Sequence, residues 1–156
     1  MNKRTKTMSL LSQQGLAIIE LALVLPLLTL LLFGFIEVGR ALYQQNMLTK
    51  ALSTGARFIS RAPDAVTPDC QPGTAWLQVV EQARTLIAYP GAGDQLLLNG
   101  LDNGEALDFS VSRAGTVCVI RVEASLAYAA IAGIIPMLND GRFGLSASVE
   151  ERYIGD

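Results

Sequence analysis

Gly15-Leu16-Ala17-Ile18-Ile19-Glu20 opens an apolar run that continues to Ile36, and the reading of that run decides the fold. Leu16 to Ile36 is about 21 residues, close to the roughly 20 that an α-helix needs to cross a bilayer core. Glu20 is its only charge. A cleaved secretory signal has a shorter apolar region, roughly 7–15 residues, ending at a small-x-small site. Here Glu37-Val38-Gly39-Arg40 follows instead, so the run reads as a retained span. Lys3, Arg4 and Lys6 precede it, with only Arg40 and Lys50 close behind, which predicts a cytoplasmic N-terminus and a remainder on the far side of the membrane, which in a bacterium is the inner membrane with the periplasm beyond it. Pro26 removes one backbone donor and crowds the carbonyl near Ala22, so a bend is expected there; spanning helices also tolerate proline without any functional reason.

Working outward, residues 1–15 read as a polar, basic, disordered cytoplasmic leader, and 16–36 as the span. Beyond Arg40, Leu48, Leu52, Ala56 and Ile59 recur at helical spacing and no proline intervenes before Pro63, so residues 37–61 continue the helix outside the membrane. Over Leu16 to Arg61 that helix would measure about 69 Å at 1.5 Å per residue. Residues 62–156 form a separate extracytoplasmic part. Pro63, Pro68, Pro72 and Gly73 mark a loop containing Cys70. Thr74 is placed to cap a helix over 75–88, with Trp76, Val79, Val80, Ala83, Leu86 and Ile87 on one side.

The period then changes to two. Leu107, Phe109 and Val111 alternate with Asp108, Ser110 and Ser112, and a turn is expected at Ala114-Gly115. Cys118, Ile120, Val122 and Ala124 share the inner face of a second strand, and Phe143, Leu145, Ala147 and Val149 that of a third. The fold class is α+β: a long N-terminal helix, then a small antiparallel sheet with one further helix. The apolar segment Ile131 to Leu138 is too short to span and reads either as a buried crossover or as a contact patch.

Composition narrows the function. The chain has 156 residues and a formal net charge of −2; taking the three leader cations from its 12 Lys and Arg leaves 9 against 14 acidic residues, a net of −5. That balance argues against a nucleic-acid partner. The absence of histidine removes the commonest metal ligand and general base, so no metal site, cofactor, small-molecule substrate or catalytic residue is expected, and the chain does not read as an enzyme. Asn99 to Gly104, with Asp102 and nearby Glu105, lacks the alternating ligands of a calcium loop and reads as a solvated hairpin. Cys70 and Cys118 are either core thiols or a disulfide; an extracytoplasmic location favours the disulfide.

Gly15 followed by an apolar run with a glutamate at its fifth position resembles the processing site of type IV prepilins and pseudopilins. Glu20-Leu21-Ala22-Leu23-Val24-Leu25-Pro26, Phe33-Gly34, Glu37-Val38-Gly39-Arg40 and Gly55-Ala56-Arg57 resemble the TadE-like family, minor pseudopilins of the tight-adherence (Flp, type IVb) pilus system. Leu21 departs from the Phe or Tyr that many members carry after the glutamate. The resemblance implies a non-enzymatic protein of pilus assembly and adhesion. It would be cut between Gly15 and Leu16 by a prepilin peptidase, with other pilins, pseudopilins, the assembly platform and membrane lipid as partners. Glu20 itself has two readings: near the cytoplasmic end of the span it is an interfacial residue, or, after a cut behind Gly15, its carboxylate pairs with the Leu16 amine of a neighbouring subunit, each neutralising the other in apolar surroundings. Glu37 and Arg40, one helical turn apart, are placed to pair at the membrane exit or to anchor at the interface, as Tyr43 is. The competing reading is an uncleaved, membrane-anchored periplasmic binding or scaffold domain.

Overall fold

The computed structural model describes residues 7–91, 95–102, 104–128 and 144–155, with side chains from Gly15 onward. Its elements are α1 (Thr7–Ser60), α2 (Trp76–Ala88), β1 (Leu107–Ala114), β2 (Val117–Ala127) and β3 (Gly144–Arg152). Two compact units divide the chain, one ending at Gly39 and the other beginning at Arg40. The α+β class expected from the sequence is the one observed.

The first unit, as far as it is described, consists of α1 up to Gly39. Residues 7–14, the second half of the expected leader, are helical as part of α1. Residues 7–14 contain neither Gly nor Pro, and extending an existing helix adds one hydrogen bond per residue without a new nucleus.

The second unit is built on the rest of α1. Leu48, Leu52, Ala56 and Ile59 are completely buried, and full burial of each larger side chain is worth about 1.5–3 kcal/mol. They share one core with Trp76, Val79, Ala83 and Ile87 of α2 and with the inner face of the sheet, which includes Leu107, Ile120, Val122, Ala124 and Leu145. Leu86, expected on the packed side of α2, is partly exposed at 38%. The sheet is antiparallel in the order β1-β2-β3. Leu107 pairs with Ala124 and Ala114 with Val117, so the hairpin loop is Gly115-Thr116, one residue later than expected. Gly115 has φ +63°, the left-handed conformation that a two-residue hairpin needs at its first position. Phe143 and Ile131 to Leu138 lie outside the described residues.

Two local expectations are corrected. No side chain caps α2; Ala75, not Thr74, occupies the cap position. Backbone carbonyls from the preceding loop do that work, Asp64 O accepting from Ala75 N at 3.1 Å and Gly73 O from Trp76 N at 3.2 Å. The stretch around Asp102 is no hairpin: a turn with Gly100 at φ +95° leads into a short 3₁₀ segment, Gly104–Ala106, that feeds β1. Completely buried Leu101 anchors the turn, and Arg84 Nη1 donates to Gly104 O at 2.9 Å.

Candidate functional site on the first helix

Gly15, Leu16, Glu20, Pro26, Glu37 and Arg40 all lie on α1. Every large apolar side chain from Leu16 to Ile36 is exposed, with Leu23 at 75% and Phe35 at 74%. Among the described residues no protein core covers this stretch, which is long and apolar enough to cross a membrane. The arrangement is that of a membrane anchor, whose solvent is lipid.

Gly15 stands in open space: a β-carbon there would meet no described atom within 4 Å. Packing within the chain therefore does not explain a glycine at this position. Leu16 and Glu20 are four residues apart and share one side of the helix. Pro26 lies within the helix and leaves one carbonyl of the preceding turn without its usual donor. Nearby, Thr29 Oγ1 donates to Leu25 O at 2.8 Å, which satisfies the threonine hydroxyl inside the apolar stretch.

At the other end of the run the environment changes. Glu37 is only 9% exposed, whereas the apolar residues before it face outward. Arg40 Nη1 is buried and has no hydrogen-bond partner among the described residues.

Cys70 and Cys118 are brought together in a disulfide with a Cα–Cα distance of 5.2 Å. It ties the loop after α1 to β2. In that loop Thr67 N donates to Gln71 O and Cys70 N to Thr67 O, both at 2.9 Å, and Cys70 itself takes φ +57°. Arg113 Nη2 reaches back to Pro68 O at 3.1 Å, reinforcing the same attachment.

Other contacts that hold the second half of α1 to the sheet were not anticipated. Arg57 Nε lies 3.1 Å from Glu151 Oε1 on β3, and Gln45 Nε2 donates to Ser146 O at 2.6 Å. Ser60 O, among the last carbonyls of α1, accepts from both Ile154 N at 2.9 Å and Gly155 N at 3.0 Å. A helix end leaves such carbonyls without partners, so the chain following β3 serves as its cap. The contact of α1 with α2 is different in kind: Gly55, between core positions 52 and 56, lies where Ile87 of α2 comes close, and a glycine there is a signal of such an approach.

Residues 15–57 match the family model described as TadE-like protein. No curated protein and no solved structure matches the chain. The matched residues cover the exposed apolar stretch, Glu37, Arg40 and Gly55. The chain therefore carries a TadE-like segment, on the helix that holds Gly15, Glu20, Glu37 and Arg40.

Proposed function

We propose that this chain is a minor pseudopilin of a tight-adherence pilus, inserted with its N-terminus in the cytoplasm, cut after Gly15 and used in pilus assembly and adhesion. The observation that carries the reading is the TadE-like match, which starts at Gly15 and runs through the lipid-compatible part of α1. A TadE-like segment points to a pilus-associated, non-enzymatic protein. The processing step and the assembly role follow from the chemistry of the first turn.

Before any cut, α1 includes residues from Thr7 onward and Glu20 lies well inside it, beyond the turn where the helix dipole favours an anion. Cutting after Gly15 would make Leu16 the first residue and give it a protonated amine. Glu20, fifth in the new chain, would then stand about 6 Å along the axis from that amine at 1.5 Å per residue. Its side chain leans toward the helix N-terminus, as all helical side chains do. The carboxylate thus gains an opposite charge from its own or a neighbouring subunit only once the leader is removed. In lipid, such mutual neutralisation is what makes either charge tolerable.

The helix running unbroken through Gly15 favours a second reading, an uncleaved anchor, because a peptidase needs the scissile bond unwound. Glycine lowers that barrier, costing a helix about 1 kcal/mol relative to alanine. N-terminal sequencing of the protein made with and without a prepilin peptidase separates the two. The pseudopilin reading expects Leu16 as the first residue only when the peptidase is present. An intact Lys3-Arg4-Lys6 head in both samples rejects it.

A further inference from the structure

Asp108 of β1 stands directly opposite Glu123 of β2 on the face of the sheet that α1 and α2 do not cover. Like charges directly opposed across strands are destabilising. Glu123 is compensated in part, by Ser148 Oγ at 3.1 Å and by Arg121 at 3.6 Å, but Arg121 is shared with Glu150 at 2.8 Å, and no ion pair to Asp108 is present among the described residues. Glu105 adds a third carboxylate to the rim of the same shallow depression. Its floor is made of small side chains, including Ser125, Ser146 and Ser148, and its volume is about 330 Å³. The shape accepts a protruding side chain, and the acidic rim favours a cationic one.

The helix layer of the same unit presents the complement. A groove of about 760 Å³ between α1 and α2 is lined by Phe58, Leu86 and Val79, with Arg57 and Arg61 at its edge. Phe58 and Leu86 are 36% and 38% exposed. Arg57 is committed to Glu151, whereas Arg61 is exposed and has no ion-pair partner among the described residues.

We propose that the occupant of this groove is a second copy of the chain, docked head to tail: Arg61 of one copy faces Asp108 and Glu123 of the next, with Phe58 and Leu86 against the small-residue depression. The two surfaces lie on opposite layers of one unit, so the contact is heterologous and leaves a free groove and a free acidic face at the ends. Charge complementarity fixes the direction of docking, and the apolar contact excludes water around it. The contact does not depend on cleavage after Gly15.

The test uses the full chain in membranes, with a photo-crosslinking phenylalanine analogue at Phe58 and two differently tagged copies. The expected result is an adduct between copies that maps to residues 144–150. It falls about tenfold with Arg61→Glu in the crosslinking copy and returns when the other copy carries Asp108→Lys and Glu123→Lys. The mobility of the Cys70–Cys118 disulfide form on a non-reducing gel reports folding of each variant. For the unmutated pair, the adduct should also weaken between low and high salt. Four results each overturn the proposal: no adduct between copies, an adduct indifferent to charge reversal, one that maps to the partner's own groove, or capture of a different protein.

Discussion

Ile87 of α2 occupies the place where a β-carbon on Gly55 of α1 would stand: its Cδ1 lies 2.5 Å and its Cγ1 2.7 Å from that position. The two helices approach at a glycine that is itself inside the TadE-like segment. Both residues belong to the core unit, where Ile87 and Ala56 are completely buried. Gly55 therefore serves packing, whereas Gly15, with open space around it, does not.

Gly55→Ala sets two effects against each other. Alanine favours the helix by about 1 kcal/mol, while forcing a methyl group against Ile87 costs roughly 1–3 kcal/mol in a packed core. The expected net is a modest loss, up to about 2 kcal/mol, and a larger loss for Gly55→Val. Combining Gly55→Ala with Ile87→Val should recover part of the deficit, because the valine lacks the offending Cδ1. Chemical denaturation of the detergent-solubilised protein reads both; additivity of the two changes would show that the contact does not couple them.

The tail after β3 should be as important to α1 as any side chain on the helix. Ile154 N and Gly155 N both donate to Ser60 O, and Tyr153 Oη donates to Ala62 O at 2.9 Å. Tyr153→Phe removes one hydrogen bond and is expected to cost about 1 kcal/mol. Truncation after Arg152 removes all three donors and should cost more and raise amide exchange in the last turn of α1. Unchanged exchange at residues 57–62 in the truncated protein would count against this account.

Reduction of the Cys70–Cys118 bond releases a loop with a sequence separation of 48. In the chain-entropy model, closing such a loop is worth about 4 kcal/mol. The paired substitution Cys70→Ser with Cys118→Ser is therefore expected to shift the denaturation midpoint markedly downward, and reductant should do the same to the unmutated protein. The measurement is unfolding followed with and without reductant; matching curves would show that the link adds no stability.

The elements that sequence alone made readable are those with a period. Leu48, Leu52, Ala56 and Ile59 repeat at about one helical turn, so the continuation of α1 beyond the apolar run was visible. Alternation from Leu107 and from Cys118 similarly disclosed the first two strands. The exposed apolar stretch of α1 was legible because it depends only on neighbours along the chain. Contacts between distant segments were not. Ile87 meets Gly55 only once the crossing of α1 and α2 is known. The donors that cap Ser60 are backbone N–H groups, which every residue except proline carries, so no residue type announced them. Thr74 failed as a cap for the same reason, since carbonyls of Asp64 and Gly73 reached the first turn of α2 instead.

Glu20 gives the test that bears most directly on the proposed function. A carboxylate at the centre of a span costs roughly 2.5–3.5 kcal/mol on insertion scales, and less near an end. Glu20→Ala should consequently insert at least as well as the unmutated chain, as judged by membrane fractionation. It should still be cut, giving Leu16 as its first residue, because the bond lies before Glu20 and the small residue at Gly15 is retained. Pilus number, counted by electron microscopy, is expected to fall sharply, since the Leu16 amine would enter apolar surroundings without its counter-charge. Glu20→Gln should fail in the same way, which distinguishes loss of charge from loss of size. Glu20→Asp, shorter by one methylene, should retain part of the function. Normal pili with Glu20→Gln would remove the amine pairing while leaving membrane anchoring and processing intact.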